Sequence, residues 1–271
     1  MAYDGYACLR VALDAGVATV TIDHPPIHLF DLPLITEMDR VGRELEADPA
    51  VRVVVVESAD PDFFIAHADV NLILELPAGA PAPAEPSFFQ KMVDRFRSMP
   101  KATIAKLEGI CRGGGSELVL SMDMRFAALD KAVLGQPEVA VGILPGGSGT
   151  QRLPRLVGRS RALEIVLGAA DFPADLAERY GYVNRALPAA ELGPFVDALA
   201  RRIASFPAGA VARAKAAVLA ADVGVAAGLT LEARLFDECL ALPEVRRRMQ
   251  AFLDAGGQTR EVEARPGARF G

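Results

Sequence analysis

The chain has 271 residues, 51% of them hydrophobic and 24% charged, with a formal net charge of −6. That is enough apolar material for a full core, in one large domain or two smaller ones. The acidic balance argues against a nucleic-acid surface, which needs clustered positive charge, and no apolar run reaches the roughly 18 residues of a membrane span.

The first elements follow from hydrophobic spacing. CLRVAL and VATVTID alternate apolar residues around Asp14, Ala15 and Gly16, which predicts a β-hairpin. LPLITEMDRVGRELEADP carries Leu34, Met38, Val41 and Leu45 at helical spacing and stops before Pro49. VRVVVVES is a β-branched run of the kind buried on both faces of a sheet. Strand, helix, strand is an α/β unit.

The stretch from Leu76 to Pro86 is too rich in Pro and Ala for regular structure and reads as a surface loop. A helix is expected over SFFQKMVDRFRSMP, then one buried strand over ATIAKLEGI that runs into three glycines. After them, ELVLSMD reads as helix, MRFAAL and AVL as short strands, and GQPEVAVGILPGGSGTQRL as a long loop opening another helix. From Arg161 the chain reads as almost wholly helical: RALEIVLG, PADLAERYG, a short YVNRAL strand, PAAELGPFVDALARRIASF, AVARAKAAVLAAD, LTLEARLFDECLAL and PEVRRRMQAFLDAG. Arg246, Arg247 and Arg248 read as a solvated helix end. No internal repeat of fixed period is visible.

Three cysteines, Cys8, Cys111 and Cys239, lie far apart and lack CxxC spacing, so neither a disulfide framework nor a zinc site is expected. With no recognisable targeting segment in MAYDGYACLR, the expected compartment is the reducing cytoplasm.

CRGGGSELVL, residues 111–120, carries the chemistry. A Walker loop needs a lysine that neither GGGSE nor PGGSGT supplies. The dinucleotide fingerprint fails because Leu118 and Arg152 stand where the third glycine belongs, and a nucleophile elbow fails at Leu118 and Thr150. What remains is a strand ending at a helix N-terminus, where amides and the helix dipole favour an oxyanion. Glu117 lies in the first turn of that helix, and Glu138 lies in GQPEV beside a glycine-rich loop. Two glutamates converging beside an amide pair suit proton transfer next to a carbonyl; dipole complementation by Glu117, close packing of the glycines and simple solvation of Glu138 are the alternatives.

FFIAHADV at 63–70, EGICRGGGSELVLSMDMRFA at 108–127, LGQPEVAVGILPGGSGTQRLPRLVG at 134–158 and the helical ending together resemble the crotonase superfamily, the enoyl-CoA hydratases and isomerases. The resemblance covers most of the chain and implies an α/β fold, a spiral of repeated ββα units with a C-terminal α-helical region. Residues 1–200 would form the core carrying an acyl-CoA site, and residues 201–271 a helical trimerisation region, in a homotrimer or a dimer of trimers. It implies an acyl-CoA thioester substrate, coenzyme A being part of that substrate, with no separate cofactor and no metal, and with neither nucleic acid nor membrane as partner.

By the same resemblance the backbone amides of Ala68 and Gly114 form an oxyanion hole, and Glu117 and Glu138 are catalytic. Glu138 would exchange a proton with the α-carbon, and Glu117 would position and deprotonate water. Ala66, His67, Asp69, Val70, Pro137 and Gly146 would line the substrate. Keeping both glutamates favours hydration of a 2-enoyl-CoA or the reverse dehydration, with an enoyl-CoA isomerase, an acyl-CoA thioester hydrolase or a non-catalytic acyl-CoA-binding protein as alternatives. Three departures stand out: His67 where the family commonly has glycine, His28-Leu29-Phe30 for Asn-Ala-Leu, and Asn71 for a frequent lysine. His67 would either line the thioester site or pack locally, and a distorted loop would misaim the Ala68 amide.

Overall fold

In the computed structural model, which describes residues 3–75, 85–223 and the single positions 247, 251 and 254, the hairpin forms as the alternation requires. Strands β1 (Leu9–Asp14) and β2 (Val17–Ile22) pair antiparallel, from Leu9 opposite Ile22 to Asp14 opposite Val17. Their two-residue turn places Ala15 and Gly16 at φ 46° and 83°, the left-handed pair that matches strand twist in a tight hairpin. Helix α1 (Leu32–Ala47) starts at Asp31, whose carboxylate accepts the Leu34 N–H at 3.0 Å, and buries Leu34, Met38, Val41 and Leu45. The four valines of β3 (Val53–Ser58) are buried, as a central parallel strand requires.

β4 (Phe63–Ile65) and α2 (Val70–Leu74) follow. Most of the Pro/Ala-rich loop, residues 76–84, lies outside the described residues. Helix α3 (Phe88–Ser98) opens with a capping box in which Ser87 and Gln90 satisfy each other's backbone N–H groups.

The expected single strand over 102–110 is two strands, β5 (Ala102–Leu107) and β6 (Ile110–Arg112), and they belong to different sheets. Gly109 makes the corner: a Cβ there would fall onto the backbone of Asp62 and Phe63, and the Ile110 N–H donates to the Asp62 carbonyl at 2.8 Å. A hydrophobic run cannot reveal such a corner, because both strands are buried. Helix α4 (Gly114–Ser121) starts earlier than its apolar residues indicate and takes two of the three glycines into its first turn. β7 (Met124–Ala128), β8 (Val133–Gly135), a 3-10 turn over Glu138–Val141, α5 (Gly149–Val157) and α6 (Arg159–Gly168) come next. β9 (Asp171–Pro173), which the periodicity does not signal, precedes α7 (Ala174–Tyr180), β10 (Arg185–Leu187) and α8 (Ala189–Ala204).

Sheet order explains the spiral. One sheet runs β1-β2-β3-β5-β7-β10 and the other β4-β6-β8-β9. The pairs β3/β4, β5/β6 and β7/β8 each give their first strand to the large sheet and their second to the small one, with β3-β5-β7 and β4-β6-β8 parallel. A helix follows each pair and carries the chain to the next turn. The fold is therefore the mixed α/β spiral of ββα units; its repeats differ too much in length to show as a fixed sequence period.

The chain divides into two compact units, residues 1–201 and 202–271. In the second, α9 (Ala208–Leu219) and a 3-10 turn at Ala220–Val223 are described, and Arg247 is helical and exposed. The two helices expected over LTLEARLFDECLAL and PEVRRRMQAFLDAG, together with Cys239, Arg246 and Arg248, lie outside the described residues, apart from those single positions. Among the described residues no single helix is long and apolar enough to cross a membrane.

Candidate active site

The three glycines between β6 and α4 have three different neighbours. Gly113 has φ 49° and ψ −124°, and a Cβ there would sit 3.1 Å from Glu138 Oε1 and 3.6 Å from His67 Cβ. At Gly114 a Cβ would meet Phe89, Ala68 and Phe30 at 3.3, 3.5 and 3.5 Å. At Gly115 it would press on Ile65 Cβ at 2.6 Å. Backbone conformation, an open approach to Ala68, and tight packing onto β4 therefore each claim one glycine.

Ala68 and Gly114 come together with their amides uncommitted. Phe30 bridges Ala68 by donating to the His67 carbonyl at 2.9 Å and accepting from the Asp69 N–H at 3.0 Å, so the N–H of Ala68 itself points away from that bridge. Gly114 is the first residue of α4, where an N–H has no intrahelical acceptor. Among the described residues neither amide has an acceptor, and the α4 dipole adds positive potential at the same spot.

Both carboxyls lie beside that pair. Glu117 is 3% exposed, and its Oε1 accepts the amides of Gly147 at 2.7 Å and Gly149 at 2.8 Å. Burial above all, with repulsion from Glu138, pushes its pKa up to about 7, while the loop amides pull the other way. Glu138, 9% exposed at the start of the 3-10 turn, is also pushed up to about 7 by burial. The two titrate as a pair near neutrality. With several amides donating to it, Glu117 is the better placed of the two to carry the charge, leaving Glu138 the proton. One base, one acid and two inward amides can together move a proton onto or off a carbon beside a carbonyl.

His67 is half-buried, and its Nδ1–H donates to the Ala68 carbonyl at 2.8 Å. Of the two alternatives for His67, the ring takes the local one, bonding within its own loop, and the Phe30 bridge holds the same peptides. Ala66 is buried, with its N–H on the Ile27 carbonyl at 3.2 Å. Asp69 caps α2 through the Asn71 N–H at 2.9 Å, and Val70 is exposed, so neither of these side chains joins the carboxyl pair. Pro137 precedes Glu138 and caps its 3-10 turn. The Gly146 carbonyl accepts from Gln90 Nε2 at 2.9 Å, which ties the 145–149 loop to α3.

The other two histidines are held elsewhere. His28 is buried against Ser58 Oγ at 3.1 Å and the Phe64 carbonyl at 3.3 Å, and burial lowers its pKa. His24 pairs with Asp31 at 2.7 Å.

Sequence reasoning missed four contributors. Gly147 and Gly149 supply the amides to Glu117; at Gly147 a Cβ would overlap Phe89 and stand 2.6 Å from Glu117 Oε2. Phe89 packs edge-on to Phe30 at 5.4 Å between ring centroids and covers both Gly114 and Gly147. Gln136 contacts Glu138. The glycines and Gln136 were visible as motif letters, but nothing marked Phe89, which arrives on α3.

The family model for enoyl-CoA hydratase/isomerase matches residues 12–259. A short-chain-enoyl-CoA hydratase of Clostridium acetobutylicum is 34% identical over 249 residues, 89% of this chain and 92% of that protein. The crystal structure of an enoyl-CoA hydratase from Bacillus anthracis superposes with a TM-score of 0.84 at 28% identity, covering 92% of this chain and 96% of that one. Fold, site geometry and sequence thus agree that the chain belongs to the enoyl-CoA hydratase/isomerase family of the crotonase superfamily.

Proposed function

We propose that this protein is an enoyl-CoA hydratase, adding water across the double bond of a 2-enoyl-CoA thioester or removing it in reverse. The observation that carries the reading is the pair of buried carboxyls beside two uncommitted amides, where burial pushes both carboxyls up to about 7. The Ala68 and Gly114 N–H groups donate to the thioester oxygen. Ionised Glu117 takes a proton from water as the water oxygen bonds to the β-carbon. The alkene electrons move toward the carbonyl, giving an enolate held by the two amides, and Glu138 delivers its proton to the α-carbon. One water is consumed, one C–O and one C–H bond form, and the pair of carboxyls has exchanged its proton. Dehydration runs the same steps backward. Coenzyme A enters as part of the substrate, and no step requires a separate cofactor or metal.

In the same reading Ala66, His67, Asp69, Val70, Pro137 and Gly146 border the bound thioester, residues 1–200 form the catalytic core, and residues 201–271 make subunit contacts in a homotrimer or dimer of trimers. Solvent-exposed apolar side chains on the 3-10 turn, the loop after it and α6, Val141 at 67%, Leu144 at 63% and Leu167 at 64%, support burial against another copy. Light scattering should return three or six copies, and a monomer would exclude that assembly. The free, buried Cys8 and Cys111 accord with the cytoplasm, where thiols stay reduced.

The test of activity is loss of ultraviolet absorbance from conjugated enoyl thioesters of several lengths. Binding without turnover would sink the hydratase reading and leave an acyl-CoA-binding protein. Gain of absorbance from a 3-enoyl thioester that depends on Glu138 but not on Glu117 would make it an isomerase, and release of free coenzyme A would make it a hydrolase.

A further inference from the structure

One aromatic side chain stands where the two halves of the site meet, and the proton transfers have no use for it. Phe89, half-buried in the first turn of α3, lays a single ring edge from the helix to the loop. Its Cζ is 3.3 Å from the point that a Cβ on Gly114 would occupy, and its Cε1 and Cδ1 are 2.2 and 2.7 Å from the corresponding point on Gly147. Gly114 offers an uncommitted amide, and the Gly147 amide holds Glu117 at 2.7 Å. Glu117 Oε2 crowds that same point on Gly147 at 2.6 Å, so the ring lies directly beside the carboxyl. Phe30, fully buried, backs the ring edge-on, with centroids 5.4 Å apart at 84°. The helix that carries Phe89 is tied to the same loop at two points. Gln90 Nε2 donates to the Gly146 carbonyl at 2.9 Å, and Arg152, whose Nε donates to Ser148 Oγ at 2.8 Å, also reaches Asp94 at 2.9 Å. A ring backed by Phe30 on a helix pinned in this way is a fixed wall.

We propose that Phe89, backed by Phe30, is a specificity-determining residue that limits the acyl group to a short chain. With the thioester oxygen on the Ala68 and Gly114 amides, the β-carbon must come within reach of a water held by Glu117. That path runs alongside the Phe89 edge, because the ring touches both Gly114 and Gly147. Carbons beyond the β-carbon are carried past Glu117 toward the 147–149 loop, where ring and loop are already in contact. A methyl group there rests against an aromatic edge, a favourable apolar contact. Each further methylene has to displace a ring whose own neighbours are packed, and a close-packed interior gives way only at a cost. The placement of the reacting bond rests on the hydratase reading, whereas the wall itself needs only that an acyl thioester binds.

The test compares crotonyl-CoA with 2-octenoyl-CoA. The wild type should favour crotonyl-CoA in kcat/KM, and Phe89→Ala should raise the octenoyl-to-crotonyl ratio by about 10–200-fold, the range over which a change of pocket size discriminates between chains. Phe89→Leu should move the ratio the same way by less, and it decides the matter should Phe89→Ala not fold. A role in packing alone would loosen the loop on Glu117 and lower kcat for both thioesters alike. An unchanged ratio in the Phe89 variants, or a wild type that handles both lengths equally well, overturns the proposal. Calorimetric binding of butanoyl-CoA and octanoyl-CoA, which cannot be hydrated, reads the wall without the chemistry. The same preference and the same shift in Phe89→Ala, in a protein that hydrates neither enoyl thioester, would sink the hydratase reading and keep the wall. Hydration without any preference for length would sink the wall alone, and failure to bind any of these thioesters would sink both.

Discussion

Glu117 and Glu138 are the same residue type in one pocket, yet they are held by different means. Glu117 is held by backbone: the amides of Gly147 and Gly149 converge on one oxygen, and glycine is needed at Gly147 because any side chain would meet Phe89 and the carboxylate. Glu138 is held by a side chain, Gln136, which is held in turn by two more. Backbone donors do not change with substitution and so fix a charge state firmly, provided the loop keeps its path. Side-chain donors can be exchanged one at a time and so tune a charge state. This difference favours a settled base at Glu117 and an adjustable acid at Glu138.

The largest effect should come from removing each carboxyl. Glu117→Gln and Glu138→Gln should each lower kcat for a 2-enoyl thioester by about 10²–10⁴-fold, and the double variant should lose less than the product of the two, because the pair acts as a unit. Steady-state absorbance kinetics reads this, and a loss under tenfold would break the comparison. Next comes the loop: Gly147→Ala displaces either the amide or the carboxylate and should lower kcat by about 10²-fold, as small misplacements do, while the protein remains folded by circular dichroism.

A smaller effect concerns stability. A carboxyl whose folded pKa is raised contributes stability below its unfolded value, near 4.5, and loses it as pH rises through about 7. Glu117→Gln removes that titration. Its stability relative to wild type should therefore improve by about 2 kcal/mol between pH 5 and pH 8 in urea unfolding. No change between the two pH values would show that the amides of the 147–149 loop already offset the burial.

The smallest effect is the pH profile. Activity requires one proton on the pair, so kcat/KM should peak near pH 7 and fall tenfold per unit on either side. Protonation of Glu117 removes the base at low pH, and ionisation of Glu138 removes the acid at high pH.

Much of the fold was legible because periodicity reports burial. The hairpin at Ala15 and Gly16, the α1 stripe from Leu34 to Leu45 and the valines of β3 needed no tertiary information. The corner at Gly109 and the three-residue strand β9 were not legible: the first interrupts one buried run by contact with a distant backbone, and the second is too short to have a period. In the site, Glu117, Glu138, Ala68 and Gly114 could be named from motif letters. Phe89, the glycine amides on Glu117 and the Tyr182 contact could not, because Phe89 arrives from another helix, Gly147 lies 30 residues from Glu117 and Tyr182 lies 66 from Ser116 in the chain.

By itself the sequence determined the element types, the glycine-rich turn into α4 and the presence of two glutamates beside it, since these follow from local backbone preference and residue identity. Only the tertiary structure decided that one carboxyl is gripped by amides and the other by a side chain, that the His67 ring bonds to the Ala68 carbonyl, and that the three glycines serve three different neighbours. Those outcomes depend on distance through space, which a spiral of ββα turns sets by stacking segments that the chain itself keeps far apart.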